Sequence, residues 1–191
     1  MPPGGCKPGQ KRIHETEVAF MKPGRRKVKF ASLSEVMADV EQLLAGHAAV
    51  GRWSLGQTLN HLALTIRMSM EGYPIKFPWI VRRLLGPFGR RLSFGLGRLP
   101  EGFRAPEAYV PSPGLDAAIQ AENLRTEIER FGVFTGRLDE HPLLGHLSPS
   151  QWQQFHRLHC AHHLSFVCPA IRKCKPALKD PRLNASSDPT P

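Results

Sequence analysis

Four histidines lie close together in the stretch FHRLHCAHHLSFV, residues 155–167, and they are His156, His159, His162 and His163. An imidazole can bind a metal ion, transfer a proton near neutral pH, or act as a hydrogen-bonded core residue. If the stretch is helical, His159 and His163 lie one turn apart on one face. This is the i, i+4 spacing by which two imidazoles bind a single ion. The pair therefore indicates a metal site.

A third ligand has to come from elsewhere, since a catalytic zinc site typically has three protein ligands and one open position. The candidate is His61 in WSLGQTLNHLALTI, where apolar residues on both flanks of a predicted helix enclose the ring. His61, His159 and His163 are the predicted ligands of a divalent ion such as Zn²⁺ or Ni²⁺. His156, one turn before the pair, is a candidate partner for the ligands or a proton acceptor.

Other interpretations of these residues stay open. A lone histidine on an apolar face is more often a core residue than a ligand. Cys160, beside His159, has the chemistry of a thiol nucleophile, although a buried structural cysteine on a helix is the commoner case. The sequence has no G-x-S-x-G, no Walker loop and no G-x-G-x-x-G that opens a helix after a strand.

Start signals predict four helices that would position the histidines. Serines begin three of them in capping boxes, and Asp116 caps the other. The predicted helices span about 33–45, 55–71, 117–131 and 149–168. Residues 77–114, between the second and third helices, are rich in Pro, Gly and Arg, and they predict no more than one or two helical turns near Trp79–Leu85. Four helices, a long connection and no strand-like alternation predict an all-α four-helix bundle.

The predicted domain organisation is one bundle between two tails. A chain of 191 residues with 41% hydrophobic content suffices for one domain with a core. The bundle is expected to span residues 29–171. Residues 1–28 and 172–191 are rich in Pro and Lys without apolar periodicity, which predicts flexible basic tails.

The net charge of +10 belongs to the ends and to the long connection, not to the four predicted helices. Residues 1–30 carry +6, residues 76–104 carry +6 and residues 172–191 carry +3, so the rest of the chain carries −5. Because no aromatic-interleaved basic stripe accompanies this charge, specific binding to nucleic acid is not favoured. Attachment to a membrane surface or nucleic acid through RRLLGPFGRRLSFGLGR and the tails ranks last among the functions considered.

The cysteines and the apolar runs bear on the cellular compartment. Four cysteines occur without C-x-x-C spacing, and the beginning MPPGGCKPGQKR has no apolar leader segment. No window approaches the roughly 18 uninterrupted apolar residues that a membrane span needs. The sequence therefore predicts a soluble cytoplasmic protein with reduced thiols and no membrane span.

Two stretches carry a family resemblance. The W-S-x-G-Q-x-L-x-H-L context of His61 and the H-x-x-H-H of residues 159–163 resemble the DinB-like superfamily, whose members are four-helix bundles that bind a divalent metal through three histidines. GRWSLGQTLNHLALTIRMSMEGYP and HPLLGHLSPSQWQQFHRLHCAHHLSFV, with the proline-rich connection, resemble more narrowly domain-of-unknown-function family 1569. The resemblance covers about residues 28–170, and it implies the same three ligands, His61, His159 and His163.

The resemblance also suggests a reaction, since related superfamily members include thiol transferases and hydrolases. A thiol or water activated by the ion would attack a small-molecule substrate in the mouth of the bundle. Where many relatives have H-E-x-x-H-H-x-G-Q, this chain has HCAHHLSF, so the acidic residue and the Gly-Gln are missing. The alternative is a non-enzymatic bundle with structural histidines that acts as a binding or homodimerisation module.

Overall fold

The structure, a computed structural model, describes residues 24–99 and 106–170. Five α-helices, one 3₁₀ turn and two short strands follow one another in the order α1 (Leu33–Leu44), β1 (His47–Ala49), α2 (Leu55–Glu71), α3 (Trp79–Leu96), the 3₁₀ turn Glu107–Tyr109, α4 (Ala117–Val133), α5 (Pro149–Leu164) and β2 (Val167–Pro169). The expectation of an all-α chain is confirmed in the sense that the described residues are mostly helical. None of these helices has the length and apolar content needed to cross a membrane.

Capping side chains begin four of the helices where the sequence predicts them. Ser54 and Ser148 each form a complete capping box, in which the hydroxyl accepts a backbone N–H and a glutamine side chain accepts the serine N–H. Ser32 and Asp116 cap α1 and α4 through their side-chain oxygens. Each box satisfies N–H groups that a helix start otherwise leaves unpaired. The boxes therefore define the starts of α2 and α5, the helices that carry the candidate ligands.

Helix α3 corrects the prediction for the long connection, because 18 residues are helical where the sequence indicated one or two turns. Pro87 and the glycines around it have low helix propensity, which argued against a helix. Gly86 packs so closely on the following loop that an added Cβ would lie 2.8 Å from the Leu144 carbonyl oxygen. Arg90 also donates to that oxygen at 3.0 Å. Tertiary contacts thus stabilise a helix that local propensity disfavours.

The two strands are a second correction, since the sequence shows no strand-like alternation. Strands β1 and β2 pair antiparallel, with Ala48 opposite Cys168. Helix α5 ends at Leu164 instead of residue 168, because residues 167–169 leave the helix to join this pair. Strands of three residues are too short for an alternating pattern to be visible.

Helices α1 and α2 each contact both α4 and α5, and together these helices enclose the core. Their fully buried apolar side chains form one cluster, which includes Val36, Val40, Leu43, Leu59, Leu62, Ile66, Leu124, Trp152 and Leu164. Burying one such side chain contributes about 1.5–3 kcal/mol. This packing sets α2 beside α5 and so determines which of their residues meet.

Residues 24–28, which the sequence places in a flexible tail, contact the folded part of the chain. The Arg26 N–H donates to the Ser165 carbonyl at 3.0 Å, and its guanidinium binds the Asp39 carboxylate. The guanidinium also donates to the Val167 carbonyl at 2.6 Å. An arginine with this many partners holds the segment against α1 and β2. Residues 1–23, 100–105 and 171–191, with the rest of both predicted tails, lie outside the described residues.

Candidate metal centre

The three histidines predicted as ligands meet between α2 and α5. His61 projects from α2, and His159 and His163 project from α5 one turn apart. The Nε2 atom of His159 lies 3.3 Å from that of His61 and 2.9 Å from that of His163. One nitrogen from each ring lies within 4.8 Å of the other two. The structure thus brings together all three residues, although they come from two helices about a hundred positions apart.

The tautomer of His61 follows from one hydrogen bond. Its Nδ1 lies 3.0 Å from the Tyr109 carbonyl oxygen, which can only accept. Nδ1 therefore carries the proton and donates it, and Nε2 keeps a lone pair that faces His159. A carbonyl behind a ligating histidine is the usual way in which proteins fix the ring orientation at a metal.

Tyr109 itself is held in place through its side chain. The phenol donates to the Ile75 carbonyl at 2.8 Å and accepts the Ile75 N–H at 3.2 Å. Both bonds tie the 3₁₀ turn to the segment before α3. Sequence reasoning missed Tyr109, because its contribution to the site is a backbone carbonyl that any residue type could supply.

The residues W-S-L-G-Q at the start of α2 position that turn. A Cβ on Gly56 would lie 2.1 Å from the Leu115 carbonyl oxygen, so only glycine lets the segment before α4 approach α2 this closely. The Gln57 side-chain amide donates to the Pro111 carbonyl at 3.1 Å. These two residues hold the chain that leads from Tyr109 to α4 against the helix that carries His61.

Aromatic rings cover the three imidazoles. Trp53 stacks on His163, with ring centroids 5.4 Å apart and planes 9° apart, and its centroid lies 4.9 Å from that of His61. Phe155 stacks on His159 at 5.3 Å. These contacts limit the rotation of the rings and reduce the access of water to the nitrogens.

Burial and mutual proximity keep the three rings neutral. Burial is the main cause that lowers the pKa of His61, and the hydrogen bond to Tyr109 acts in the opposite direction. The pKa values of His159 and His163 lie well below the usual value, because of burial first and then because of the neighbouring imidazoles. A neutral imidazole is the form that binds a metal.

The arrangement fits a divalent ion. Nitrogen ligands at about 2.0–2.1 Å from a tetrahedral ion lie about 3.3 Å from one another. The two Nε2–Nε2 distances of 3.3 and 2.9 Å are close to that separation, and no two of the three donor nitrogens are more than 4.8 Å apart. The lone pair of His61 points into the same space, so the donor set has the chemistry of a three-histidine site.

His156 lies in the core and not against the candidate ligands. Its Nε2 lies 3.1 Å from the Ser69 hydroxyl, which donates its own proton to the Ile66 carbonyl. His156 therefore donates to Ser69, and its ring stacks on Trp152. Burial lowers the pKa of His156 to about 3. The partner that the structure shows for a candidate ligand is the Tyr109 carbonyl, which binds His61.

His162 and Cys160, which lie in the same stretch, have separate environments. The Nδ1 atom of His162 lies 3.3 Å from the Arg25 guanidinium, and its ring contacts Phe166 edge-on. Cys160 is buried, and burial raises the pKa of its thiol to about 12. The thiol therefore stays protonated near neutral pH, which favours the structural interpretation of Cys160 over the nucleophile.

Comparison with known proteins agrees with the narrower of the two resemblances. No curated protein and no solved structure matches the chain significantly. One family model matches residues 22–170, which include all three candidate ligands, and its description is "Protein of unknown function (DUF1569)". The match covers more than half of the chain. The chain therefore belongs to the DUF1569 family.

Proposed function

We propose that the protein binds a divalent metal ion, Zn²⁺ or Ni²⁺, through His61, His159 and His163 and activates a thiol or water for transfer or hydrolysis. The observation that carries the proposal is the convergence of three imidazole nitrogens within 4.8 Å of one another. Three neutral nitrogen ligands leave one position of a tetrahedral ion open, as in catalytic zinc sites. A thiol or a water in that position would be the nucleophile.

Several residues around the candidate ligands would have distinct roles at this site. A divalent ion supplies Lewis-acid chemistry, which makes a thiol or water acidic enough to react near neutral pH. The Tyr109 carbonyl holds His61 with its lone pair toward the other two rings. Trp53 and Phe155 stack on His163 and His159 and limit the rotation of these rings. With a pKa of about 12, Cys160 keeps its proton and leaves the ligand set to the three histidines.

From the same three histidines we infer that the chain has the arrangement of the DinB-like superfamily. In that superfamily a four-helix bundle holds three metal-binding histidines, two of them on its last helix. The contacts of α1 and α2 with α4 and α5 support a four-helix bundle, to which α3 would be an addition. The positions of the histidines on α2 and α5 support the same assignment.

The test of function is a pair of assays on metal-loaded and chelator-treated protein. Hydrolysis is followed with p-nitrophenyl acetate, and thiol transfer with glutathione and monochlorobimane. We expect at least one rate to depend on added Zn²⁺ or Ni²⁺ and to be lost in the His159→Ala variant. Equal rates for loaded, chelated and variant protein in both assays would contradict activation by the ion.

The second candidate is a binding or dimerisation module whose histidines are structural. It is favoured by the Nε2–Nε2 distances of 2.9 and 3.3 Å, which are also hydrogen-bond distances. A metal-free cluster of this kind has a stability that does not respond to chelator. It also takes up no metal, so the two candidates differ in a quantity that is measured directly.

A further inference from the structure

Helix α3 turns an apolar face away from the rest of the molecule. The side chains of this face, which we call the α3 face, are Ile80, Leu84, Leu85, Phe88 and Leu96, and all are exposed. At about 100° per residue they lie within an arc of about 160°. Leu84 is 71% exposed and Phe88 is 67% exposed. Large apolar side chains grouped in this way mark a surface that binds something.

The opposite side of α3 is the one that packs on the molecule. Gly86 and Ser93 are buried there, and a Cβ on Gly89 would lie 2.9 Å from the Leu144 side chain. Arg90 donates to the Leu144 and His146 carbonyls at 3.0 and 2.9 Å. Small and polar residues, together with Phe94, thus attach the helix to the rest of the molecule. The five apolar residues of the α3 face are left exposed.

The exposed charge around the α3 face is positive. Residues 76–99 contain six cations, Lys76, Arg82, Arg83, Arg90, Arg91 and Arg98, and no Asp or Glu. Asp139 and Glu140, on the loop after α4, pair with Lys76 and Arg82. Arg83 and Arg91 are exposed. At about 20° from Ile80, Arg91 lies within the arc of the apolar residues, and Arg83 lies about 60° outside the Ile80 end of the arc. Two copies of this surface would repel each other, so the charge favours an anionic partner over a second copy of the chain.

We propose that α3 binds the surface of an anionic membrane and lies in the plane of the headgroups. Ile80, Leu84 and Phe88 would enter the boundary between headgroups and acyl chains, and Arg83 and Arg91 would contact lipid phosphates or carboxylates. A helix with an apolar face flanked by arginines is typical of such interfacial binding.

Two features select a membrane over the other anionic partners. A protein that binds nucleic acid presents cations to the phosphates, whereas the centre of the α3 face is aliphatic and aromatic. An apolar arc that runs along 17 residues, from Ile80 to Leu96, lets a helix in the plane of the interface bury apolar side chains along its whole length. No described helix is suited to span a bilayer, so the contact is peripheral.

The experiment is co-sedimentation of the full chain with mixed phosphatidylcholine–phosphatidylserine vesicles, and with phosphatidylcholine vesicles as the comparison. We expect binding to the mixed vesicles that weakens as salt is added. The double variant Leu84→Glu and Phe88→Glu removes apolar side chains that would enter the membrane, and it adds two negative charges that anionic lipids repel. Binding of this variant to the mixed vesicles is expected to be at least about tenfold weaker.

The matched control is Ile119→Glu together with Val133→Glu on α4, where the parent side chains are 61% and 80% exposed. It makes the same change of charge on another surface and should bind within about threefold of the parent. Circular dichroism of both variants verifies that they are folded. Three outcomes overturn the proposal: no binding of the parent to mixed vesicles, equal weakening in both variants, or a homodimer that the α3 variant dissociates while vesicles stay unbound. Binding to duplex DNA without binding to vesicles overturns it as well.

Discussion

At the scale of single residues, a half-buried histidine outside the candidate metal centre makes stability depend on pH. His141 accepts the N–H groups of Leu143 and Leu144 at its Nδ1, and burial lowers its pKa to about 3. In the unfolded chain a histidine takes up a proton near pH 6.5. Between these values the unfolded state binds more protons, so stability is complete above about pH 6.5 and falls as the pH falls toward 3. The slope for this residue is about 1.4 kcal/mol per pH unit.

The His141→Asn variant tests whether His141 causes this pH dependence, because an asparagine oxygen can accept the same two N–H groups in an Asx turn. We expect a variant that folds and whose free energy of unfolding depends on pH less steeply, by about one proton. Urea denaturation at pH 7 and pH 5 with chelator present measures both slopes. The control is His146→Asn on the same loop, where the side chain is exposed. A slope unchanged by His141→Asn, or equally changed by the control, would show that another group is responsible.

The candidate ligands themselves could be predicted from residue type and spacing, whereas the residues that orient them could not. His159 and His163 are four apart on a helix, so their convergence follows from helical geometry. The partner of His61 is the carbonyl of Tyr109, 48 positions away on a turn of three residues. No pattern of side chains in the sequence predicts such a contact with a backbone carbonyl. The same holds for His156, whose partner Ser69 lies on another helix.

At the scale of elements, α3 explains why glycine and proline mislead a prediction from sequence. The capped helices were predicted to within a few residues because their start signals are local. Helix α3 depends instead on the approach of Gly86 to the Leu144 backbone, which no local pattern encodes. Strands β1 and β2 likewise pair across more than a hundred positions with only three residues each. Contacts between distant residues decide these elements.

Substitution by alanine distinguishes a glycine of α3 that lies in open space from one that packs on the neighbouring loop. Gly95→Ala should stabilise the protein by about 0.5–1 kcal/mol, because no atom lies within 4 Å of the added methyl group and alanine favours the helix. Gly86→Ala should destabilise it by about 1–2 kcal/mol, because the methyl group would lie 2.8 Å from the Leu144 oxygen. Chemical denaturation compares them. If both substitutions stabilise the protein alike, α3 is not packed on that loop.

At the scale of the whole molecule, metal binding and folding are coupled, since the ligands come from two helices that pack only in the folded chain. At about a hundred times its dissociation constant, an ion adds about 2.7 kcal/mol to stability. For a chain of this size that corresponds to a rise in Tm of about 5–11 °C. We therefore expect EDTA to lower the Tm of metal-loaded protein by that amount and to leave the Tm of the His159→Ala variant unchanged. Thermal unfolding followed by circular dichroism measures both shifts.

The measurement that tests the central claim most directly is metal content by inductively coupled plasma mass spectrometry. The protein is purified untagged and without chelator, beside the variants His61→Ala, His159→Ala and His163→Ala and the control His156→Gln, whose parent side chain binds Ser69 in the core. We predict close to one Zn²⁺ or Ni²⁺ per chain in the parent and the control, and a loss of metal in each of the three variants. A parent that contains no divalent metal and takes up none when Zn²⁺ or Ni²⁺ is added would contradict the account. Variants that keep the full metal content would also contradict it.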